Sequence, residues 1–182
     1  MFFKKAGDSI YVVGLTKNEL GGSEFFRQLA RKQGTPGSYG GNVPQLDIQH
    51  ALAIYRSMNE ATSRELLHSS HTPTLGGLAV GFALPCIGGD LGAEINLSLL
   101  ACEGALDDDA RLFSESNSRF VVTCAAKDES EVETVFRDLP CVRVGTVLAE
   151  KRLRITGAKG LSLVDADVNA LRRAFKEALY GI

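Results

Sequence analysis

Three short polar stretches hold the residue types that binding chemistry needs. The first is Gly21-Gly22-Ser23, directly ahead of an apolar helical pattern that begins at Phe25 and Phe26. Two glycines at a helix start permit a tight turn and expose unpaired N–H groups. With the helix dipole, those groups favour a phosphate or carboxylate; the same residues also suit a plain sharp turn capped by Ser23. The second stretch runs from His71 to Gly76-Gly77. Its histidine could orient a phosphate or act as acid or base, or serve structurally at a strand end. The third, Ser114-Glu115-Ser116-Asn117-Ser118-Arg119, sets a carboxylate and hydroxyls just before an apolar strand. Ligands often sit at such a sheet edge, and a solvated turn has the same composition. The candidate ligand-binding residues are therefore Gly21, Gly22, Ser23, His71, Gly76, Gly77, Glu115, Ser116 and Arg119. None is assigned a catalytic role. Metal-ligand spacing, a phosphate loop and a nucleophile elbow are all absent.

The elements that must position these clusters follow from periodicity. Ser9 to Leu15 reads as a strand, and 24–33 as a short helix with Phe25, Phe26, Leu29 and Ala30 on its inner face. Residues 34–46 form a glycine- and proline-rich loop, and its Ser38-Tyr39-Gly40-Gly41 suits either a ligand contact or a linker. Asp47 is placed to cap a helix running to about Leu67, with Ile48, Leu52, Tyr55 and Met58 as its apolar stripe. His50 lies off that stripe and reads as a surface histidine. A short strand ends at His71. A helix follows Gly77 with Leu78, Ala79, Phe82 and Ala83 inward, and Pro85 is expected to end or kink it. Ala93 to Leu97 is a half-buried strand, Asp107-Asp108-Asp109 opens a helical turn, and Phe120 to Ala125 is a buried strand. Asp128 with Glu131 has capping-box spacing ahead of Val132, Val135, Phe136 and Leu139. Residues 141–148 and 153–156 read as a hairpin, and 157–160 as a turn into Leu161-Ser162-Leu163. A last helix starts near Asp165 with Val168, Leu171, Phe175, Ala178 and Leu179 inward. This order favours an α+β fold, a mixed β-sheet with helices packed on it, over a doubly wound parallel sheet.

Composition narrows the class. The 182 residues suit a single domain, and a formal charge of −2 with no basic run argues against nucleic acid. No apolar run reaches membrane-spanning length and the first residues do not read as a signal peptide. Cys86, Cys102, Cys124 and Cys141 are far apart in apolar segments, as buried free thiols of a cytoplasmic protein would be.

Taken together and in order, the clusters resemble a known family. Ile10-Tyr11-Val12-Val13-Gly14 with Glu19-Leu20-Gly21-Gly22-Ser23-Glu24, then Gly76-Gly77-Leu78-Ala79-Val80, then Leu112 to Thr123 are similar to the C-terminal domain of the aminoimidazole-ribonucleotide-synthetase superfamily. Within it, the chain looks most like the last domain of the formylglycinamidine ribonucleotide synthases of purine biosynthesis. The resemblance spans nearly all of 1–182. It implies an ATP-dependent ligase in which ammonia, released from glutamine by a glutaminase subunit, converts a formamide to an amidine. ATP and magnesium are implied for the whole enzyme and none is expected on this chain alone, because the family's ATP-binding domain is absent from these residues. That domain and the glutaminase are the implied partners; homodimer formation stays open. One departure matters. The family shows two aspartates between its histidine and Gly-Gly, where this chain has Thr72 and Leu75. Neither can accept hydrogen bonds as a carboxylate does or hold a metal. A diverged, non-catalytic domain serving assembly or phosphate-ligand binding is the alternative reading.

Overall fold

Strand β1, Ser9–Val13, is buried at all five positions, as a strand covered on both faces must be. In the computed structural model, which describes residues 1–35, 37 and 40–180 (the last three as backbone alone), it lies inside the sheet between the strands Phe120–Cys124 and Cys141–Leu148. The other strands are β2 (Ser69–His71), β3 (Gly92–Asn96), β4 (Phe120–Cys124), β5 (Cys141–Leu148), β6 (Arg152–Thr156) and β7 (Ser162–Asp167). They form one seven-stranded mixed sheet in the order β2-β4-β1-β5-β3-β6-β7. Between them run α1 (Glu24–Gln33), α2 (Ile48–Ser63), α3 (Gly77–Gly89), α4 (Asp108–Phe113), α5 (Glu129–Val135) and α6 (Val168–Tyr180). The fold is the expected α+β class.

Alternation along β1 divides the core in two. Ile10 and Val12 face one layer, where Leu78, Phe82 and Cys86 of α3, Leu112 of α4 and Val168 of α6 pack across β4, β1, β5, β3 and β6. Tyr11 and Val13 face the other, where Ile54, Met58 and Ala61 of α2 meet Val132 of α5, with Phe136 just beyond it. This second layer covers only the half of the sheet around β4 and β1. Beyond it, β3 and β6 set Glu94 opposite Arg154 and Asn96 opposite Thr156 on an uncovered polar face.

Several expectations are corrected. Strands β5 and β6 do not pair as a hairpin, because β3 runs between them, antiparallel to β5 and parallel to β6. Gly92 passes directly under the connecting turn, where a Cβ would lie 2.0 Å from the Glu150 carbonyl oxygen. The β6–β7 hairpin is present. Helix α3 continues through Pro85. The lost hydrogen bond and ring clash cost about 3 kcal/mol, and burial of Leu78, Phe82, Pro85 and Cys86 on one layer offsets it. The Asp128 side chain makes no cap bond, since a 3₁₀ turn over Ala126–Asp128 already holds its backbone in helical geometry.

Three of the four residues expected as the inner stripe of α2 point outward, and only Met58 is buried. Ile48 is 68% exposed and Leu52 and Tyr55 are also exposed, whereas Ala51, Ile54, Met58 and Ala61 are buried. Two alanines, Ala51 and Ala61, share the inner face with Ile54 and Met58. Helix α1 likewise buries only Ala30; Phe25 and Phe26 are half-buried and Leu29 is exposed. Helix α6 begins three residues beyond Asp165, which belongs to β7, and Phe175 is exposed. The side chains of Ala178 and Leu179 lie outside the described residues, as do Ser38 and Tyr39. All four cysteines are free, Cys86 and Cys124 buried and the other two half-buried. No described helix is long and apolar enough to cross a membrane.

Candidate functional site

Register brings the first and third clusters together. In the antiparallel β1–β4 pair Val13 lies opposite Phe120, so the loop leaving β1 and the loop entering β4 run side by side. Gly14 permits this contact. Its φ is +97°, and a Cβ there would lie 2.5 Å from the Ser118 carbonyl oxygen.

Arg119 ties the two loops. It is 1% exposed, and its Nε donates to the Ser116 carbonyl at 3.1 Å and Nη1 to Thr16 Oγ1 at 3.0 Å. Nη2 donates to the Ser114 carbonyl. Burial pushes its pKa down to about 10, against the opposing pull of Glu19, Cys102 and Glu115, so it stays cationic at neutral pH. Around it, Lys17 N donates to Ser116 Oγ at 3.1 Å and Glu19 N to Ser114 Oγ at 3.3 Å. The two serines therefore act as backbone acceptors inside the fold.

Glu115 joins the second cluster to the first. One oxygen, Oε1, accepts from Glu24 N at 3.0 Å and from Gly76 N at 2.8 Å. A carboxylate thus occupies the anion position at the start of α1 and beside the start of α3, where dipole and free N–H groups favour negative charge. Ser23 caps α1 as expected, its Oγ accepting from Phe26 N at 3.3 Å. Gly21 N donates to the Asn42 carbonyl at 2.7 Å, and a Cβ on Gly21 would lie 2.5 Å from the Gly41 carbonyl oxygen. Gly22 is exposed. Gly77 has φ +61° and lies against the backbone carbonyls of Leu112 and Ser114. One glycine of each pair, Gly21 and Gly77, serves close backbone approach.

His71 stands apart. It ends β2 opposite Val121 and makes no side-chain hydrogen bond among the described residues. Burial, with the N-terminal ammonium adding to it, lowers its pKa below the usual histidine value of 6.5. Thr72 and Leu75 line a groove with Pro44, Tyr55, Glu115 and Asn117. These residues do not fit a nucleotide with its magnesium. No three His, Cys, Asp or Glu side chains converge as a metal site among the described residues, and Glu115 already holds the helix-start position a phosphate would take.

Two residues read in the sequence but not counted among the candidate ligand residues are placed differently by the fold. Glu19 is buried behind Gly21, its Oε1 accepting from Gln45 N at 2.9 Å. His50 is half-buried, with its Nε2 turned inside and unpartnered, so it is not a surface histidine. The available signal was position: a carboxylate just ahead of the Gly-Gly turn, and a histidine in the first turn of a helix whose cap, Asp47 Oδ1, accepts from His50 N at 3.0 Å.

Comparison with known proteins agrees with this architecture. Residues 5–158 match the family described as AIR synthase related protein, C-terminal domain. The chain superposes on Thermotoga maritima PurL complexed with FGAR at a TM-score of 0.80 and 17% identity, covering 94% of this chain and 29% of that one. PurLQS from T. maritima gives 0.73 at 19% identity, covering 94% and 27%. Escherichia coli HypE, a hydrogenase maturation protein, gives 0.63 at 16% identity, covering 90% and 50%. At such identities the likeness is one of fold, and the chain spans between a quarter and a half of these structures. On the family match, this chain belongs to the C-terminal domain family of AIR-synthase-related proteins.

Proposed function

We propose that this chain is the C-terminal-type domain of an ATP-dependent carbon–nitrogen ligase of the formylglycinamidine ribonucleotide synthase kind, working against an ATP-binding partner domain. The observation that carries the reading is the exposed stripe Ile48, Leu52 and Tyr55 on α2, beside the polar loops. Spacing of four and three residues sets all three on one side of the helix. A contiguous exposed apolar patch of this kind marks a contact surface. The coverage of under a third of PurL supplies the candidate occupant, a domain of separate sequence. In the whole assembly ATP would activate the formamide oxygen and ammonia from a glutaminase would take its place at carbon. This chain's part is to hold the rigid loop platform of Arg119 and Glu115 against the reacting partner.

The test mixes the purified chain with an ATP-binding domain of the family. Sedimentation should show a complex that Leu52→Asp weakens, and ammonia-dependent ATP hydrolysis should appear only in the mixture. Turnover by the chain alone, or no complex, sinks the proposal. A complex without turnover supports the second reading, a non-catalytic assembly domain, which Thr72 and Leu75 favour because neither side chain can carry charge.

A further inference from the structure

The outer face of β5, β3 and β6, bare where the second helix layer stops, holds a hollow of about 320 Å³. It lies beside Ser9, at the opposite end of β1 from Gly14 and the loop platform. Two opposite charges line it without meeting. Glu94 is exposed and has no side-chain partner among the described residues, although Arg154 stands opposite it on β6 and Thr146 on β5. The Arg154 guanidinium is taken by Glu150 at 2.7 Å. Arg143 is anchored elsewhere, its Nε donating to Ser9 Oγ at 3.0 Å and its Nη2 to Thr146 Oγ1 at 3.0 Å, with Glu129 at 3.7 Å. Ser9 is 1% exposed and donates in turn to Glu129, so a buried hydroxyl sets the guanidinium in place. Its Nη1 is left with no partner among the described residues. Opposite charges on neighbouring strands stabilise a sheet when they pair. Here they are held apart, each with bonding capacity unspent at one hollow.

The chemistry of the pair narrows the ligand. A carboxylate only accepts and a guanidinium only donates, so the molecule must offer a donor and an acceptor close together. Glu94 disfavours a phosphate or dicarboxylate and Arg143 a polyamine, whereas a molecule carrying both charges satisfies both. Asn96 uses its Oδ1 to accept from Ser98 N at 2.9 Å, which leaves Nδ2 as a further donor at the same wall. Leu99, 53% exposed, adds an apolar side. We infer that this hollow binds a free α-amino acid with an apolar side chain. Its ammonium donates to Glu94, its carboxylate accepts from Arg143 Nη1 and Asn96 Nδ2, and its side chain lies against Leu99. None of these residues enters the ligase reading, so the inference stands apart from it and from its partner domain.

The test titrates the ¹⁵N-labelled full chain with L-leucine up to about 50 mM, and separately with leucinamide and N-acetyl-leucine, which lack the free carboxylate and the ammonium respectively. L-Leucine should move the Asn96 and Thr146 amides and the Arg143 Nε resonance saturably, with a Kd on the order of 1 mM. Each derivative should bind about tenfold more weakly or worse, because it forfeits one charge-assisted bond. Glu94→Gln, at an exposed position, should weaken L-leucine binding by a similar factor. Should that variant fail to fold, the two derivatives on the wild-type chain decide the matter. The inference is overturned by an absent or unsaturable L-leucine response, by either derivative binding as tightly as L-leucine, or by unchanged affinity in a folded Glu94→Gln.

Discussion

Two neighbouring regions of this molecule handle buried polarity in opposite ways. Around Arg119, each guanidinium nitrogen has an acceptor and the two loop serines accept backbone N–H groups. Beside it, a carboxylate oxygen of Glu19 and an imidazole nitrogen of His50 are buried with no partner among the described residues. A satisfied network rigidifies a fold, whereas an unsatisfied one is tolerated where something else completes it. The first region is satisfied scaffold, and the second carries buried polarity that the described residues leave unmatched. The motif residues most conspicuous in the sequence mostly belong to the scaffold.

Perturbing the scaffold should have the largest effect. Arg119→Ala leaves three acceptors unpaired in a buried space and should lower unfolding free energy by about 3–5 kcal/mol, read by urea denaturation. A loss below about 1 kcal/mol would break the distinction between the regions. Glu115→Ala removes the shared acceptor of Glu24 N and Gly76 N and should cost about 2 kcal/mol. Phe25→Ala should cost only about 1–2 kcal/mol, because Phe25 is half-buried and stacks on Phe113 at 4.7 Å between centroids. Glu19→Gln, in the unsatisfied region, should leave stability within about 1 kcal/mol of wild type or raise it, since it removes a buried charge lacking a full set of partners. A clear destabilisation there would place Glu19 with the scaffold instead.

The smallest effect concerns His71. Its pKa is lowered by burial from 6.5, so the unfolded chain takes up the proton first as pH falls. Its contribution is complete above pH 6.5 and is lost as pH drops through the lower folded value. Denaturation midpoints at about pH 7.5 and about pH 5.5 should therefore converge somewhat in His71→Gln. An unchanged difference would show that burial of His71 does not couple to folding.

Much of the fold was legible because strand alternation and turn residues are local signals. Ser23 and Asp47 were readable as caps for the same reason. The α2 stripe was misread because Ala51 and Ala61 are weak hydrophobic signals, while the large Ile48 and Leu52 lie outside. Nothing local tells a core stripe from a contact stripe. The β5–β6 hairpin was misread because a short connection implies pairing, and only tertiary structure shows β3 between the strands. In the site, Glu115 was legible as a polar residue at a sheet edge, but its bonds reach 39 and 91 residues along the chain. His50 was missed because helical position fixes a direction from the axis, not what a loop lays across it.

The placement of β3 also bears on how the chain folds. Of the six strand pairings, only β6–β7 joins strands that are consecutive in the chain. The central β1 must wait for partners that begin at Phe120 and Cys141, so a ribosome has made most of the chain before it can be enclosed. Pairings this distant carry a large loop-closure cost before any contact returns it, which puts folding in the milliseconds-to-seconds class of non-local sheets, on the order of a thousand times slower than helical bundles. Strand β3 must further settle between β5 and β6 before their short connection closes over it. A circular permutant opened at residues 149–151 would free that step, and should refold faster than the natural chain while keeping the same sheet.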